Sequence, residues 1–145
     1  MKVLVLCTGN SARSQMAEAL LRHLSNNEIE VASAGSAPQP AVHPMALSTL
    51  RSKFGIDASG LFPKSMDGFL GERFDYVITV CDRAAESCPI FPGTPERLHW
   101  SFEDPAAVAG EDARRRAFEA VADGLAQRVR AWLASPEVRA RSARE

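Results

Sequence analysis

The sequence predicts an α/β fold in which helices cover both faces of a parallel β-sheet. Apolar runs typical of strands occur at Lys2–Leu6, Glu28–Ser33 and Phe74–Val80. Segments with helical spacing lie between and after these runs, and strands that alternate with helices are typical of parallel sheets. Ligands bind beyond the carboxyl ends of the strands in such sheets. The predicted fold therefore also predicts the edge at which a functional site would lie.

Three helices are predicted from apolar residues that recur at helical spacing. The first covers Ser14–Leu24, the second runs from Pro44 to about Phe54, and the third spans roughly Asp112 to Leu133. Pro44 fits the first turn of its helix because a residue there needs no amide donor. The apolar stripe of the third helix is expected to pack in the core, and its members are Phe118, Val121, Leu125, Val129 and Trp132.

Length and composition predict one compact domain. The chain has 145 residues, and we expect a catalytic domain over residues 1–134 with a fraying polar tail over 135–145. The net charge of -1 gives no indication of nucleic acid or an anionic membrane as a partner. No segment is long and apolar enough to span a membrane, and the chain starts without the pattern of a signal peptide. A cytoplasmic monomer with reduced thiols is expected.

The segment after the first strand has the composition of an oxyanion-binding loop with a nucleophilic cysteine. It reads Cys7-Thr-Gly-Asn-Ser-Ala-Arg13, so that mostly small residues separate a thiol from a guanidinium. Small residues let successive N–H groups surround an anion, toward which the following helix directs its positive end. This field is expected to lower the pKa of Cys7, while Arg13 can donate two hydrogen bonds to the anion. The predicted oxyanion-binding residues are Thr8, Gly9, Asn10, Ser11, Ala12 and Arg13.

The sequence leaves open the roles of two residues of this segment, Cys7 and Ser14. A cysteine after a hydrophobic strand is usually a core residue, but the neighbouring Arg13 and the strand-to-helix position favour an active site. Ser14 could donate its hydroxyl to the Cys7 thiolate, or it could cap the following helix. Asn10 tolerates the left-handed backbone angles that a tight loop needs.

A second pair of cysteines follows the third strand, at the same predicted edge of the sheet as Cys7. Cys81 and Cys88 are seven residues apart. In one helix their α-carbons would be roughly 10 Å apart, at about 1.5 Å per residue, whereas a disulfide tolerates about 7 Å. The pair can therefore bond only where this segment is a loop or unwinds. Two unrelated thiols are the alternative, and zinc is disfavoured because its ligands usually lie two to four residues apart. No metal site is predicted, and redox chemistry is favoured.

Asp104 is the candidate general acid. Thiolate attack on a phosphoryl-type anion needs a proton donor for the leaving oxygen. Asp104 precedes Pro105, and a residue in that position adopts an extended or turn conformation from which its side chain can project. Asp-Pro is also a common turn dipeptide, so this pattern alone is a weak signal. His23 and His43 are predicted to be surface residues rather than ligands or bases.

Three segments together resemble the thioredoxin-coupled arsenate reductases, which have the low-molecular-weight tyrosine phosphatase fold. They are Cys7–Glu18, Cys81–Pro89 and His99–Pro105, and the resemblance covers nearly the whole chain. The anion loop alone does not separate a reductase from a phosphatase, but two cysteines seven residues apart make the match specific. The resemblance implies a three-layer α/β sandwich with a central four-stranded parallel sheet flanked by helices.

The resemblance also implies a relay of three cysteines. Cys7 would attack arsenate, Arg13 and the loop amides would bind its oxygens, and Asp104 would protonate the leaving hydroxide. Cys81 would then attack the Cys7 sulfur and expel arsenite. Cys88 would move the disulfide to Cys81–Cys88, which thioredoxin would reduce. No cofactor is implied, and a glutaredoxin-like or other thiol partner is the alternative reductant.

One departure from the family concerns a potassium site. Family members can bind potassium near the loop, and Asn10, Glu18 and Ser33 match ligand positions of that site. A further acidic ligand is expected near residue 65, where this chain reads Lys64-Ser65-Met66. We therefore predict that no potassium is held and that the Lys64 ammonium takes its place.

Two other functions are compatible with the same residues. A low-molecular-weight protein tyrosine phosphatase would use Cys7, Arg13 and Asp104. Such phosphatases commonly have an aromatic residue after the Asp-Pro pair, whereas Ala106-Ala107 follow here, which favours a small inorganic anion over an aryl substrate. Only weak phosphatase side activity is expected. The third possibility is a non-catalytic thiol redox sensor, which would show no turnover.

Overall fold

The computed structural model describes residues 1–82, 84 and 88–143, and within them four strands form one sheet. The strands are β1 (Lys2–Cys7), β2 (Glu30–Gly35), β3 (Tyr76–Thr79) and β4 (Glu96–His99). Their order is β2-β1-β3-β4, and all three neighbouring pairs are parallel. The predicted four-stranded parallel sheet is confirmed.

Within the part of the chain that the structure describes, four α-helices accompany the sheet: α1 (Arg13–Leu24), α2 (Pro44–Phe54), α3 (Glu111–Ala134) and α4 (Pro136–Ala143). The first three confirm the predicted helices, with small differences at their ends. The stripe predicted for α3 is buried along its length, because this helix packs against α1 and α2. Among the helices of the described residues, none has the length and apolar character needed to cross a membrane.

The burial of the strands explains which of them the sequence could predict. β1 and β3 are central strands, and nearly all their side chains are buried on both faces, as is typical of parallel sheets. β4 is an edge strand in which most side chains are exposed. The residues of β4 therefore contain no apolar run, and pairing with β3 is what makes this segment a strand.

The C-terminal segment differs from the fraying tail that composition predicts. Residues Pro136–Ala143 form a helix, and Val138 is buried. The Ser135 hydroxyl accepts a hydrogen bond from the Val138 amide at 3.4 Å, and the Arg141 guanidinium lies 4.9 Å from the centre of the Tyr76 ring. Burial of Val138 and the contacts of Arg141 with Tyr76, Asp75 and Glu96 hold the segment, and none of these can be read from composition. Residues 144 and 145 lie outside the described residues. A catalytic domain over residues 1–134 stays a prediction.

The strand order places the candidate residues at one edge of the sheet. β1 and β3 are neighbours, so that Cys7 at the end of β1 and Cys81 after β3 emerge side by side. β4 runs parallel to them, and the segment that leads from it to Asp104 starts at the same edge. The candidate site residues therefore lie at the carboxyl ends of the strands, as expected for a parallel sheet.

Candidate active site

The backbone carbonyl groups of the loop after β1 are hydrogen-bonded to a neighbouring segment of the chain. The carbonyls of Thr8, Gly9 and Ser11 each accept a hydrogen bond at 2.9 Å from an amide of the segment 37–43. Asn10 has a φ of 48°, the left-handed angle that was predicted for it. Because these carbonyls are already bonded, the loop N–H groups are the backbone groups left to bind an anion in the cavity. The amino end of α1 follows directly and adds its positive dipole end.

The buried Asn10 side chain fixes the shape of this loop. Its amide nitrogen donates to the Ser14 hydroxyl at 2.7 Å and to the Ser33 hydroxyl at 2.9 Å. Its amide oxygen accepts from the Lys64 backbone N–H at 2.9 Å and from the Gln15 side chain at 3.0 Å. Four hydrogen bonds thus tie the loop to α1, to β2 and to the segment that contains Lys64.

The position of Ser14 excludes one of the two roles that the sequence left open for it. α1 begins at Arg13, so Ser14 lies inside the first turn and Ala12 occupies the capping position. The Ser14 hydroxyl accepts a hydrogen bond from Asn10 and keeps its own proton to donate. The capping role is therefore wrong, and donation to the Cys7 sulfur stays a prediction.

Gly35 was missed by the sequence analysis, although the loop depends on it. A Cβ atom at this position would lie 2.4 Å from the Thr8 carbonyl oxygen and 3.1 Å from the Asn10 side chain. Any larger residue would push the loop away from the end of β2. A glycine that ends a strand has no distinctive pattern, and only the packed structure shows why it is needed here.

Cys7 and Cys81 are neighbours in the core of the site. Both residues are buried, both are free thiols, and their side chains are hydrogen-bonded to each other. The Thr8 hydroxyl lies 3.5 Å from the Cys81 sulfur. A second thiol therefore contacts the predicted nucleophile.

This contact changes the acidity expected for Cys7. The hydrogen bond with Cys7 lowers the pKa of Cys81 to about 5, with contributions from Thr8 and from the Ala84 amide. The same hydrogen bond and burial raise the pKa of Cys7, although Arg13 and the Thr8 amide act in the opposite direction. The expectation of a lowered Cys7 pKa was wrong for the resting protein, because the sequence could not show a second sulfur beside it. The two thiols share one proton and one negative charge.

We expect one thiolate per chain to form with a midpoint near pH 5, and to be lost as the pH falls below that value. A lowered pKa means that the charged form predominates above it, so the thiolate is present at neutral pH. Ultraviolet absorbance of the thiolate against pH measures this midpoint. Thr8→Val should raise it because the hydroxyl that stabilises the thiolate is removed, whereas Cys88→Ser should leave it unchanged. A wild-type midpoint in the ordinary thiol range would contradict the shared-proton arrangement.

Arg13 is held in place by the segment that follows β4. Its guanidinium donates to the Phe102 carbonyl at 2.8 Å. The Phe102 ring lies so close to α3 that a Cβ atom at Gly124 would be 2.7 Å from it. Asp104 has the extended backbone predicted for a residue before proline, and its carboxylate accepts from the Ala106 amide at 3.0 Å. One segment therefore positions both the candidate anion-binding arginine and the candidate acid.

These residues surround one cavity of about 640 Å³. Cys7, Arg13 and Asp104 line it together with the loop, which confirms that the fold brings these predicted residues together. His43 also lines it and lies 4.7 Å from the Phe118 ring, so the expectation of a surface position for His43 was incomplete. The described lining residues include no Phe, Tyr or Trp; they are Cys7, Thr8, Gly9, Asn10, Ser11, Ala12, Arg13, Ala37, Gln39, Pro40, Ala41, Val42, His43, Pro44, Asp104 and Ala106.

Cys88 lies apart from this cavity. It is half-buried, and the Arg97 guanidinium donates to its sulfur at 2.8 Å and to the Pro89 carbonyl at 2.8 Å. Arg83 and residues 85–87 lie outside the described residues, and the predicted unwinding between Cys81 and Cys88 falls mainly on them.

Comparison with known proteins identifies the family. Residues 2–143 match the family described as low molecular weight phosphotyrosine protein phosphatase. The chain belongs to this family. Members of the family with curated names include an arsenate reductase from Halalkalibacterium halodurans, which is 39% identical over 128 residues, or 88% of this chain and 91% of the relative.

Two solved structures extend the comparison within the family. One is an arsenate reductase in the phosphate-binding state, which is 30% identical with a TM-score of 0.73 and covers 92% of this chain and 96% of that one. The other is a thioredoxin-dependent arsenate reductase from Corynebacterium glutamicum, which is 33% identical with a TM-score of 0.64. It covers 90% of this chain and 60% of that one. The fold predicted from the resemblance is confirmed.

At the predicted potassium position, this family member has a lysine side chain beside a buried carboxylate. Glu18 is only 2% exposed and accepts from the Ser33 hydroxyl at 2.7 Å. The Lys64 ammonium lies 3.7 Å from the Glu18 carboxylate, and the Arg22 guanidinium lies 2.8 Å from it. Burial lowers the pKa of Lys64, and the neighbouring Glu18 opposes that effect. The ammonium thus lies beside Glu18, one of the three matched ligand positions, and both its replacement of the ion and the absence of potassium stay predictions.

We expect potassium, compared with sodium at equal ionic strength, to change neither the activity nor the Tm of the wild-type protein. Lys64→Met should lower the stability by about 1 kcal/mol, since a buried carboxylate loses one of two cationic partners. Thermal unfolding with and without potassium measures both effects. Lys53→Met serves as the control because Lys53 pairs with the exposed Asp123. A higher activity or a higher Tm of the wild-type protein in potassium than in sodium would refute the prediction that Lys64 replaces the ion.

Proposed function

We propose that this protein is an arsenate reductase that uses a relay of Cys7, Cys81 and Cys88 and is regenerated by thioredoxin. The observation that carries this proposal is that two buried free thiols, Cys7 and Cys81, lie together at the end of adjacent strands beside the anion cavity. Hydrolysis of a phosphate ester needs the nucleophile and an acid, but no second thiol in contact with the nucleophile. The similarity to arsenate reductases, one of them thioredoxin-dependent, supports the same reaction.

In the first step, Cys7 attacks arsenate. The loop amides and the Arg13 guanidinium hold the oxygens, and the proton shared by the sulfurs moves to Cys81, which leaves the charge on Cys7. The Cys7 sulfur forms a bond to arsenic while one hydroxide departs. Asp104 supplies the proton that converts this hydroxide into water. The product is a Cys7–arsenic(V) adduct.

In the second step, Cys81 attacks the Cys7 sulfur. Cys81 gives up its proton and forms a disulfide with Cys7 while the sulfur–arsenic bond breaks. The electron pair of that bond goes to arsenic, which leaves as arsenite. Arsenic gains two electrons and the two cysteines lose two, so that the exchange is balanced. The Thr8 hydroxyl lies close to the Cys81 sulfur and stabilises its thiolate.

In the third step, Cys88 attacks the Cys81 sulfur and Cys7 leaves as a thiolate beside Arg13. The disulfide now joins Cys81 and Cys88 and is accessible to a protein reductant. A protein cannot enter a cavity of about 640 Å³, whereas Cys88 lies outside it. The side chain of Ile90 is 90% exposed and provides apolar surface beside Cys88.

The relay requires reduced thiols, and we expect the protein to act as a cytoplasmic monomer.

The reaction is tested by mixing the protein with arsenate, thioredoxin, thioredoxin reductase and NADPH. We expect NADPH oxidation that depends on arsenate and on each protein component. A parallel reaction with glutaredoxin, glutathione and glutathione reductase identifies the alternative reductant. Absence of turnover in both mixtures would exclude a reductase and leave the redox sensor as the better account.

A second activity follows from the same cavity. Cys7, Arg13 and Asp104 are the groups that hydrolysis of a phosphate monoester requires, so we expect weak phosphatase side activity. The cavity offers no Phe, Tyr or Trp among its described residues to hold an aryl ring. Hydrolysis of para-nitrophenyl phosphate measures this activity. A kcat/KM above that for arsenate would make the phosphatase the principal function.

A further inference from the structure

We propose that two side chains of β4, Arg97 and His99, position the two ends of the Cys81–Cys88 segment and so govern successive steps of the cysteine relay. His99 acts on the amino end through Asp82, and Arg97 acts on the carboxyl end at Cys88. This proposal rests on the proposed function, because the relay defines the steps that the two residues affect.

His99 connects the residue after Cys81 to the sheet. Its Nε2 atom lies 2.8 Å from the Asp82 carboxylate, and its Nδ1 atom lies 2.7 Å from the Thr79 hydroxyl. The Ser101 hydroxyl donates to the same Asp82 oxygen at 3.1 Å. The hydrogen bonds from His99 and Ser101 lower the pKa of Asp82, which keeps the carboxylate charged as an acceptor. Asp82 is therefore held by two residues at the carboxyl end of β4.

Arg97 connects Cys88 to the same strand. One of its terminal nitrogens donates to the Cys88 sulfur at 2.8 Å, and the other donates to the Pro89 carbonyl at 2.8 Å. Two contacts from one planar guanidinium fix the Cys88–Pro89 pair better than a single contact would. The guanidinium also places positive charge where a thiolate attacks or leaves during disulfide exchange.

The geometry of β4 explains why these two residues can act together. Arg97 and His99 are two residues apart in a strand, so their side chains lie on the same face. Their register partners are Val77 and Thr79 of the buried strand β3. The edge strand is therefore bonded both to the residue that follows Cys81 and to Cys88 itself.

The two attachments affect different reactions. Asp82 adjoins Cys81, so its attachment orients the sulfur that attacks Cys7 in the second step. Arg97 contacts Cys88, which attacks the Cys81 sulfur in the third step. In that step the Cys88–Cys81 bond forms, the Cys81–Cys7 bond breaks, and the electron pair leaves on Cys7. The Cys88 proton passes to solvent, and no net oxidation occurs.

Arg97→Gln is expected to slow the third step by about tenfold, which is the effect of losing one charge-assisted hydrogen bond at a partly exposed site. Rapid-quench mass spectrometry after one addition of arsenate follows the loss of the Cys7–Cys81 disulfide and the rise of Cys81–Cys88. The rate of arsenite release in the same experiment should not change. Arg97→Lys, which keeps the charge and one donor, should restore part of the rate. Arg130→Gln, on the exposed face of α3, is the matched control.

His99→Ala is expected to slow the second step by about tenfold for the same reason. Arsenite release from a Cys88→Ser background isolates this step, because the relay stops there. His99→Gln keeps a donor at the end of the side chain and should restore part of the rate, while Asp82→Ala, which removes the acceptor, should match His99→Ala. His23→Ala, in the exposed last turn of α1, is the control.

Equal slowing of both steps by either variant would mean a merely structural role and would overturn the proposal. No change in either step would overturn it as well.

Oxidation of the three free thiols by diamide provides a test that does not involve arsenate. Arg97→Gln should then form the Cys81–Cys88 disulfide more slowly than the wild-type protein and Arg130→Gln do. If the wild-type protein does not reduce arsenate but this difference remains, the proposed function fails and the positioning role of Arg97 stands.

Discussion

Cys88→Ser is expected to limit the protein to one arsenite per chain. Cys7 and Cys81 are in contact and can complete the first two steps without a third cysteine. The serine hydroxyl cannot attack the resulting disulfide under these conditions, because it is far less acidic and less nucleophilic than a thiol. The product should be a chain with an intact Cys7–Cys81 disulfide.

Chemical quantification of arsenite against protein concentration measures this stoichiometry, and peptide mass spectrometry identifies the disulfide. The wild-type protein, with thioredoxin present, should release many arsenites per chain. Ser87 is next to Cys88 in the sequence, and Ser87→Ala controls for a change of side chain in this segment. Repeated turnover by Cys88→Ser with thioredoxin would reject the three-cysteine relay.

Arg13→Lys is expected to lower kcat for arsenate reduction by roughly 100- to 1000-fold, the usual effect of removing a donor that stabilises a developing anion. The guanidinium is planar, and its contact with the Phe102 carbonyl leaves further donors for the substrate oxygens. Lysine has the same charge but cannot donate two parallel hydrogen bonds, nor keep the same contact with Phe102.

Steady-state kinetics over a range of arsenate concentrations separates kcat from KM, and thermal unfolding shows whether the variant is folded. Arg130→Lys is the matched control because Arg130 is exposed on α3. A loss confined to KM would show that Arg13 binds the substrate without favouring the transition state. A loss of less than tenfold in kcat/KM would remove Arg13 from the proposed catalytic groups.

Several elements could be predicted because their information is local. The apolar runs of β1 and β3 and the helical stripe of α3 are buried on the faces that their spacing indicates. The left-handed angle of Asn10 and the extended backbone of Asp104 follow from the residue itself or from the proline after it.

Other elements could not be predicted because they depend on distant partners. β4 has polar, exposed side chains and becomes a strand only by pairing with β3. The helix Pro136–Ala143 is held by contacts with residues far away in the sequence. The roles of Arg97 and His99 also had no local signal, since each depends on a contact with the Cys81–Cys88 segment.

The sequence by itself determined the class of fold, and it indicated the candidate anion-binding loop and the three cysteines of the proposed relay. Residue type and spacing are sufficient for these, because backbone preference and side-chain chemistry act locally. Only the tertiary structure decided the direction in which the pKa of Cys7 is shifted, since the acidity of a buried thiol depends on the neighbour that packs against it. Strand order places Cys81 in that position. The predicted nucleophile is therefore half of a pair that shares one charge.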